Sequence, residues 1–316
     1  MNLVIEYLYG DFMTEREYKL KLKDKLIEYR NNLNLPSDVT FGIEIEYENI
    51  PNLNVSVFLD KIKKDINRCN DWVNKKELSI QEKNSFGERM NGEINSPILN
   101  DTINNWQDLK IILDLLKQKN GLITKKCGGH VNVGLHVLEN NDEYFRNLLL
   151  LWILYEKEIY SFSSGEYSNV RVNIDSYITN ISYDIILNEI IKVNNGNYLS
   201  KFEKLLFDKE HDIYIFPIPS KEICYNNRIE FRVPNGSLSE EIWQNYINFF
   251  TKFVIACKKE LDVEKTLYKI KNNQHTALEL ANYIFDDNID KEYFLIQALK
   301  THKIYKKELP EHKYYY

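Results

Sequence analysis

Proline and glycine are scarce, at 7 and 11 of 316 residues, which excludes collagen-like and linker-dominated architectures. Cysteine is scarcer still. Cys69, Cys127, Cys224 and Cys257 lie far apart with no C-x-x-C pair, which is not the pattern of a disulfide scaffold or a zinc ribbon. A reducing cytoplasm is therefore the expected compartment. The longest apolar run, Leu148–Leu154, falls well short of the roughly 20 residues of a membrane helix. The stretch from Met1 to Asp11 is acidic and poor in apolar length, so no signal peptide is expected. These readings predict a soluble, intracellular protein with no membrane partner. There is no excess of positive charge either: 41 Lys+Arg stand against 47 Asp+Glu, a formal charge of −6. Broad nucleic-acid binding needs a basic footprint and is not expected. No Walker A sequence or G-x-G-x-x-G occurs, so a glycine-rich phosphate loop at a helix N-terminus is not expected.

Hydrophobic residues make up 43% and aromatic residues 13% of the chain, ample for a buried core. The pattern predicts a charged amphipathic helix over 14–32 and a strand over Phe41–Glu48. A helix follows over Val55–Arg68, with Val57, Leu59, Ile62 and Ile66 as its apolar spacing. Short strands around a turn-rich middle are expected over 72–98. A helix is expected over Ile103–Gln118, a strand over Lys126–His136 and a helix over Asn141–Phe162. One or two helices are expected over 183–208, and strands over Ile213–Pro217 and Arg228–Pro234. Ser237-x-x-Glu240 reads as a capping box opening a helix to Glu260. Further helix is expected over 262–302, with a frayed tail from 303 to 316. This mixture predicts an α/β or α+β sheet with helices on one face. The expected organisation is a single domain: an N-terminal helical extension (1–40), a core (41–260) and a C-terminal helical extension (261–316).

The chemistry shows in four of the strands. Side chains alternate between faces with period two. In Phe41–Glu48 this puts Glu44, Glu46 and Glu48 on one face and Ile43, Ile45 and Tyr47 on the other. In Gly92–Pro97, Glu93 and Asn95 oppose Ile94. In Gly129–His136, His130, Asn132 and His136 oppose Val131, Val133 and Leu135. In Arg228–Val233, Arg228, Glu230 and Arg232 oppose Ile229, Phe231 and Val233. A solvated face usually mixes Lys, Thr, Ser and Gln; these faces carry Glu and His instead. Neighbouring strands lie about 4.8 Å apart, so in one sheet Glu44, Glu46, Glu93 and Glu230 would crowd together. Crowded carboxylates either protonate or take cations, and oxygen ligands with one imidazole suit Mg²⁺ or Mn²⁺. Two metals beside an arginine such as Arg232 are the parts needed to bind a polyphosphate.

These segments, in this order, resemble the amidoligase family of the glutamine synthetase-like carboxylate–amine ligases. The matching pieces are Phe41-Gly-Ile-Glu-Ile-Glu46, Glu93-Ile-Asn-Ser-Pro-Ile-Leu99, Cys127-Gly-Gly-His-Val-Asn-Val-Gly134 and Ile229-Glu-Phe-Arg-Val-Pro-Asn-Gly-Ser-Leu238. Trp72 to Ser79 and Tyr155-Glu156 match less closely. The resemblance spans about residues 41–240. It implies an α+β fold: a curved, mainly antiparallel sheet with helices packed on its outer face, around a metal–ATP site. It implies an ATP-dependent ligase that makes an amide through an acyl phosphate, with a carboxylate and an amine as substrates and Mg²⁺ or Mn²⁺ as cofactor. Glu44, His130 and Glu230 would hold the metal nearest the terminal phosphate. Glu46 and Glu93 would hold the metal serving the carboxylate and the amine, and Arg232 would neutralise the phosphoryl group in transfer. The sequence departs from the family in three places: Asn132 stands where a second His is frequent, Glu77 stands for Asp, and the arginine expected after Ser163-Ser164 is absent until Arg171. Arg171 is the candidate second phosphate contact.

Other residues read differently. His136 lies too far along its strand to join the same metal. Cys127 near His130 can be imagined as a nucleophile pair, but a structural thiol is the ordinary outcome. Gly128-Gly129 would permit a close backbone approach, a bulge or a plain turn. Glu156 is either a buried acid facing the cleft or a partner for a basic residue, and Glu48 is expected at a solvated strand end. Two further functions fit the same pattern: a small-molecule kinase, and a degenerate member that binds metal–nucleotide or peptide without turnover.

Overall fold

The computed structural model describes residues 5–6, 12–13, 22, 25–77, 80, 84–124, 126–139, 141–165, 213–215 and 227–308. The helices expected over 183–208, Arg171 and Cys224 lie outside these residues. The strands are β1 (Ile5–Glu6), β2 (Phe12–Met13), β3 (Phe41–Glu48), β4 (Val73–Lys75), β5 (Asn91–Asn95), β6 (Gly129–Gly134), β7 (Ile213–Ile215) and β8 (Arg228–Phe231). The helices are α1 (Asn52–Ile66), α2 (Ile103–Gln118), α3 (Asp142–Ser163), α4 (Glu240–Ala256), α5 (Val263–Lys271), α6 (Ala277–Ile284) and α7 (Asn288–Glu308). β1 and β2 pair with each other, and the other six strands form one sheet in the order β4-β5-β3-β6-β8-β7. Every pairing in it is antiparallel. The fold is α+β, as expected.

The sheet has two chemically distinct faces. Phe41, Ile43, Ile45, Tyr47, Ile94, Val131, Val133, Ile229 and Phe231 are all buried and form the apolar side. Helices cover it: Trp106 of α2 stacks on Phe41 at 5.4 Å, and Trp152 of α3 stacks on Phe231 at 5.6 Å. Phe250 of α4 stacks on Phe231 at 4.5 Å. A second aromatic layer joins Phe162 of α3, Phe249 of α4 and Phe294 of α7, with Phe249 stacked on Phe294 at 5.0 Å. Burying each such ring contributes about 1.5–3 kcal/mol. This packing fixes β3, β6 and β8 from beneath and leaves the opposite face for chemistry.

Several expected elements shift. Residues 25–32 carry no helix. In α1 the buried residues are Val55 and Leu59, whereas Val57 and Ile66 are 57% and 53% exposed. Val57 and Leu59 are two apart, about 200° around a helix, and so cannot share a face. The cap of α4 is Ser239, whose Oγ accepts from the Ile242 amide at 3.2 Å; the Ser237 hydroxyl instead accepts from the Ser239 amide at 2.9 Å. β6 stops at Gly134, and a 3₁₀ turn takes over at Leu135–Leu138. α7 runs on to Glu308, past the residue where fraying was expected.

Candidate metal centre

The register stacks the polar side chains in rows across the central strands. Glu46 of β3 lies opposite Glu93 of β5. Glu44 lies between Asn95 of β5 and His130 of β6. Asn132 of β6 lies between Gly42 of β3 and Glu230 of β8. Arg232, just beyond β8, contacts the Glu230 carboxylate. The motif ends are held by one another: the Gly129 amide donates to Pro234 O at 2.9 Å and the Gly236 amide to Cys127 O at 3.1 Å. A Cβ on Gly129 would come within 2.7 Å of the Trp243 ring and 2.8 Å of Asn235 O. Only glycine allows that approach, so at Gly129 the close backbone contact is the outcome. The Gly128 amide donates to Glu46 Oε2.

His130 sits among three carboxylates. Its Nδ1 is 2.9 Å from Glu44 and 3.6 Å from Glu230, and its Nε2 is 3.7 Å from Glu46. Glu44, His130 and Glu230 form one group of potential ligands, and Glu46, Glu93 and His130 form another. Within each group the ligand atoms lie within 4.8 Å of one another. Glu46, Glu230 and His130 are 3%, 3% and 4% exposed, so this is not a solvated sheet face.

Burial opposes ionisation of Glu44, but the hydrogen bond and charge of His130, the Asn132 amide and the Arg228 guanidinium hold its pKa at about 2. Burial also disfavours a charged His130, yet Glu44 and Glu230 outweigh it and the opposing Arg232, raising the ring above its ordinary value. Glu93 is pushed up to about 7 by burial and then by Glu44, against the pull of His130, with Glu46 and Glu77 adding to the rise. His130 Nε2 is buried without a hydrogen-bond partner among the described residues. Hard carboxylate oxygens, an orphaned imidazole nitrogen and a carboxylate strained towards protonation fit a doubly charged cation.

The pKa of Glu93 has two consequences. In the metal-free protein, stability falls as pH rises from the ordinary 4.5 towards about 7, because the folded state then holds a proton the unfolded chain has lost. Glu93 must also shed that proton to bind a cation. Mn²⁺ affinity should therefore drop as pH falls below about 7, by up to about tenfold per unit for each proton released. Calorimetry between about pH 6 and 8 reads this slope, and Glu93→Gln should flatten it by one proton. An unaltered slope in that variant would remove Glu93 from the ligand set.

Beside the carboxylates lies a pocket of about 310 Å³, lined by Gly42, Glu44, Lys75, Asn95, Asn132 and Arg228 among others. It offers two cationic side chains, Lys75 and Arg228, next to the ligand groups.

The family model described as "Putative amidoligase enzyme" matches residues 69–254. The chain belongs to this amidoligase family. Membership supports a ligase-type function. No curated protein matches the sequence. Among solved structures the chain is similar to a glutamine synthetase of Plasmodium falciparum, at 10% identity and TM-score 0.43, over 88% of this chain and 75% of that one. It is also similar to a novel glutamine synthase homologue, at 8% identity and TM-score 0.41, over 86% and 71% of the two chains. Glu44 and Glu46 precede the matched span, and β3 places them beside His130 and Glu93, which lie within it.

The remaining sequence candidates sort by tertiary position. Glu48 is 3% exposed, not solvated, because the Leu122 strand bridge covers the end of β3. His136 leaves the polar face with the 3₁₀ turn, and its Nε2 lies 2.8 Å from Asp38 O. Glu156 is half-buried on α3. Cys127 is fully buried, and burial pushes its thiol up to about 12. Thiolate chemistry needs an accessible, low-pKa sulfur, so Cys127 should stay unmodified when the native protein meets iodoacetamide, as read by peptide mass mapping. Rapid labelling there would revive the nucleophile reading. Sequence reasoning gave no part to Arg228, to the Gly128 amide or to Lys75. Arg228 was legible from alternation, but the other two depend on contacts between strands. Among the described residues no helix is long and apolar enough to cross a membrane.

Proposed function

We propose that this chain is an ATP-dependent carbon–nitrogen ligase that joins a carboxylate to an amine through an acyl phosphate. The observation that carries the reading is the pair of three-residue ligand groups sharing buried His130, next to a pocket lined by Arg228 and Lys75. Glu44, His130 and Glu230 would hold one Mg²⁺ or Mn²⁺, and Glu46 and Glu93 the second. Bound there, the ions supply charge neutralisation for phosphate oxygens and Lewis acidity. Arg232, against Glu230, would meet charge developing on the transferred phosphoryl group. The Gly128 amide holds Glu46 in place.

The test is ADP release from ATP across a matrix of carboxylates and amines, with Mg²⁺ or Mn²⁺. ADP should form only with metal and both substrates, and the product mass should equal the two reactants less one water. Labelled γ-phosphate should end as free phosphate. Label recovered on an acceptor would make the chain a phosphotransferase instead, and metal–ATP binding without ADP would make it a non-catalytic binder.

A further inference from the structure

Gly42, Gly92, Gly129 and Gly134 stand in β3, β5 and β6. At three of them a neighbour occupies the place of a side chain. A Cβ would come within 2.4 Å of the Tyr47 hydroxyl at Gly92, 2.7 Å of Trp243 at Gly129 and 2.4 Å of Thr40 Oγ1 at Gly134. Gly42 differs. A Cβ there would meet Asn132 Cβ at 3.5 Å and Ser96 Oγ at 3.6 Å, which are ordinary van der Waals contacts. Its backbone asks for no glycine either, because the described glycines at positive φ are Gly87 and Gly165. Nor is it a bulge: β3 pairs with β6 residue for residue from Phe41–Val133 to Ile45–Gly129. A glycine inside a strand weakens it, and one that marks neither a bulge nor a close backbone marks the approach of a ligand.

Over Gly42 lies the pocket of about 310 Å³. Alternation puts Gly42 on the polar face, two residues and about 7 Å along β3 from Glu44. On one side it faces Asn132. On the other the chain carries an extra residue: the Ser96 amide donates to Ile43 O and Leu99 bridges Phe41, so Pro97 and Ile98 together face Gly42. Asn132, Pro97 and Ile98 all line the pocket, and Gly42 is the bare floor between them. Of the cation-ligand residues, Glu44 lines this pocket and Glu46 and Glu93 do not. The pocket therefore opens onto the group formed by Glu44, His130 and Glu230. Lys75 and Arg228 are on its walls, and a divalent cation held by Glu44 would add positive charge, so the chemistry suits a polyanion.

We propose that Gly42 is a specificity-determining residue whose missing side chain leaves the pocket floor open to the phosphate chain of a nucleotide. The chain of phosphates lies against the β3 backbone at Gly42 and ends at the cation on Glu44, His130 and Glu230. This rests on the metal and nucleotide reading above. A methyl group at this position has room within the protein but stands where the phosphates pass.

The experiment compares the full chain with Gly42→Ala and Gly42→Val. Electron paramagnetic resonance reads Mn²⁺ alone. Calorimetry reads a non-hydrolysable ATP analogue and inorganic tripolyphosphate, each with Mn²⁺, and melting curves accompany every variant. Gly42→Ala should weaken both polyphosphates about tenfold, as overfilling a fitted space does, and Gly42→Val should weaken them further. Mn²⁺ alone should bind as before, because Gly42 supplies no ligand atom, and the melting temperature of Gly42→Ala should not fall. A merely structural glycine would lower the melting temperature and Mn²⁺ affinity together, and that result overturns the proposal. Equal binding of both polyphosphates by the variants overturns it as well. Tripolyphosphate left unbound by the unaltered chain, or a loss confined to the ATP analogue, would put the nucleoside rather than the phosphates over Gly42, which also overturns it. If the unaltered chain binds Mn²⁺ but not the ATP analogue, the proposed function fails and takes this inference with it; if the unaltered chain and the variants bind the analogue alike, this inference falls alone. Should Gly42→Val not fold, Gly42→Ala decides by itself.

Discussion

Glu44→Ala and Glu230→Ala should each reduce metal-dependent ADP formation by about 10³-fold or more, equivalent to about 4 kcal/mol of transition-state stabilisation. Each variant removes one of the two carboxylates from the group completed by His130. The remaining pair offers too few charged oxygens to hold a divalent ion against a terminal phosphate. The fold should survive, because the strand residues that pack the core are the alternate ones: Ile43 and Ile45 beside Glu44, and Ile229 and Phe231 beside Glu230. Truncation of Glu44 also removes one of the like charges that raise Glu93. ADP release and circular-dichroism melting measured on the same preparations separate the two effects. Unchanged turnover in both variants would dissolve the proposed site, and unfolding would show that the carboxylates hold the sheet together.

Asp290→Ala should cost about 3 kcal/mol of stability and lower the melting temperature by roughly 6–12 °C. Asp290 is 1% exposed, accepts from Arg30 Nη1 at 2.6 Å and also pairs with Lys252. Around this node the segment before β3 is tied to the helices. The Arg30 amide donates to Gln244 Oε1 at 2.9 Å, Gln244 Nε2 donates to Arg30 O at 2.6 Å, and Lys252 Nζ donates to Leu33 O at 3.2 Å. Removing the carboxylate leaves two largely buried cations side by side, and breaking a buried pair is far more costly than never having built one. Arg30 and Lys252 keep 20% and 17% side-chain exposure, which places the cost at the lower end of the range. Urea unfolding reads it, and a loss below about 1 kcal/mol would mean that water reaches the freed cations.

What the sequence determined by itself was local and periodic. Alternation in Phe41–Glu48 set Glu44 and Glu46 against Ile43 and Ile45, because a strand has no other way to orient side chains. Ile103–Gln118 was readable as a helix to the residue, since Thr102 caps it and Trp106, Leu109, Ile112 and Leu116 recur at helical spacing. Features that depend on contacts between distant segments were not readable. Alternation places Glu48 at a strand end in water, whereas the bridge to Leu122 buries it. His136 followed the alternation until the chain turned at Gly134. The buried ionic node at Asp290 left no sequence signal, because its partners are 38 and 260 residues away. Convergence was of the same kind. Periodicity said which face each carboxylate takes, but only register says which carboxylates are opposite one another, and register is set by how the apolar faces of β3, β6 and β8 pack on α2, α3 and α4.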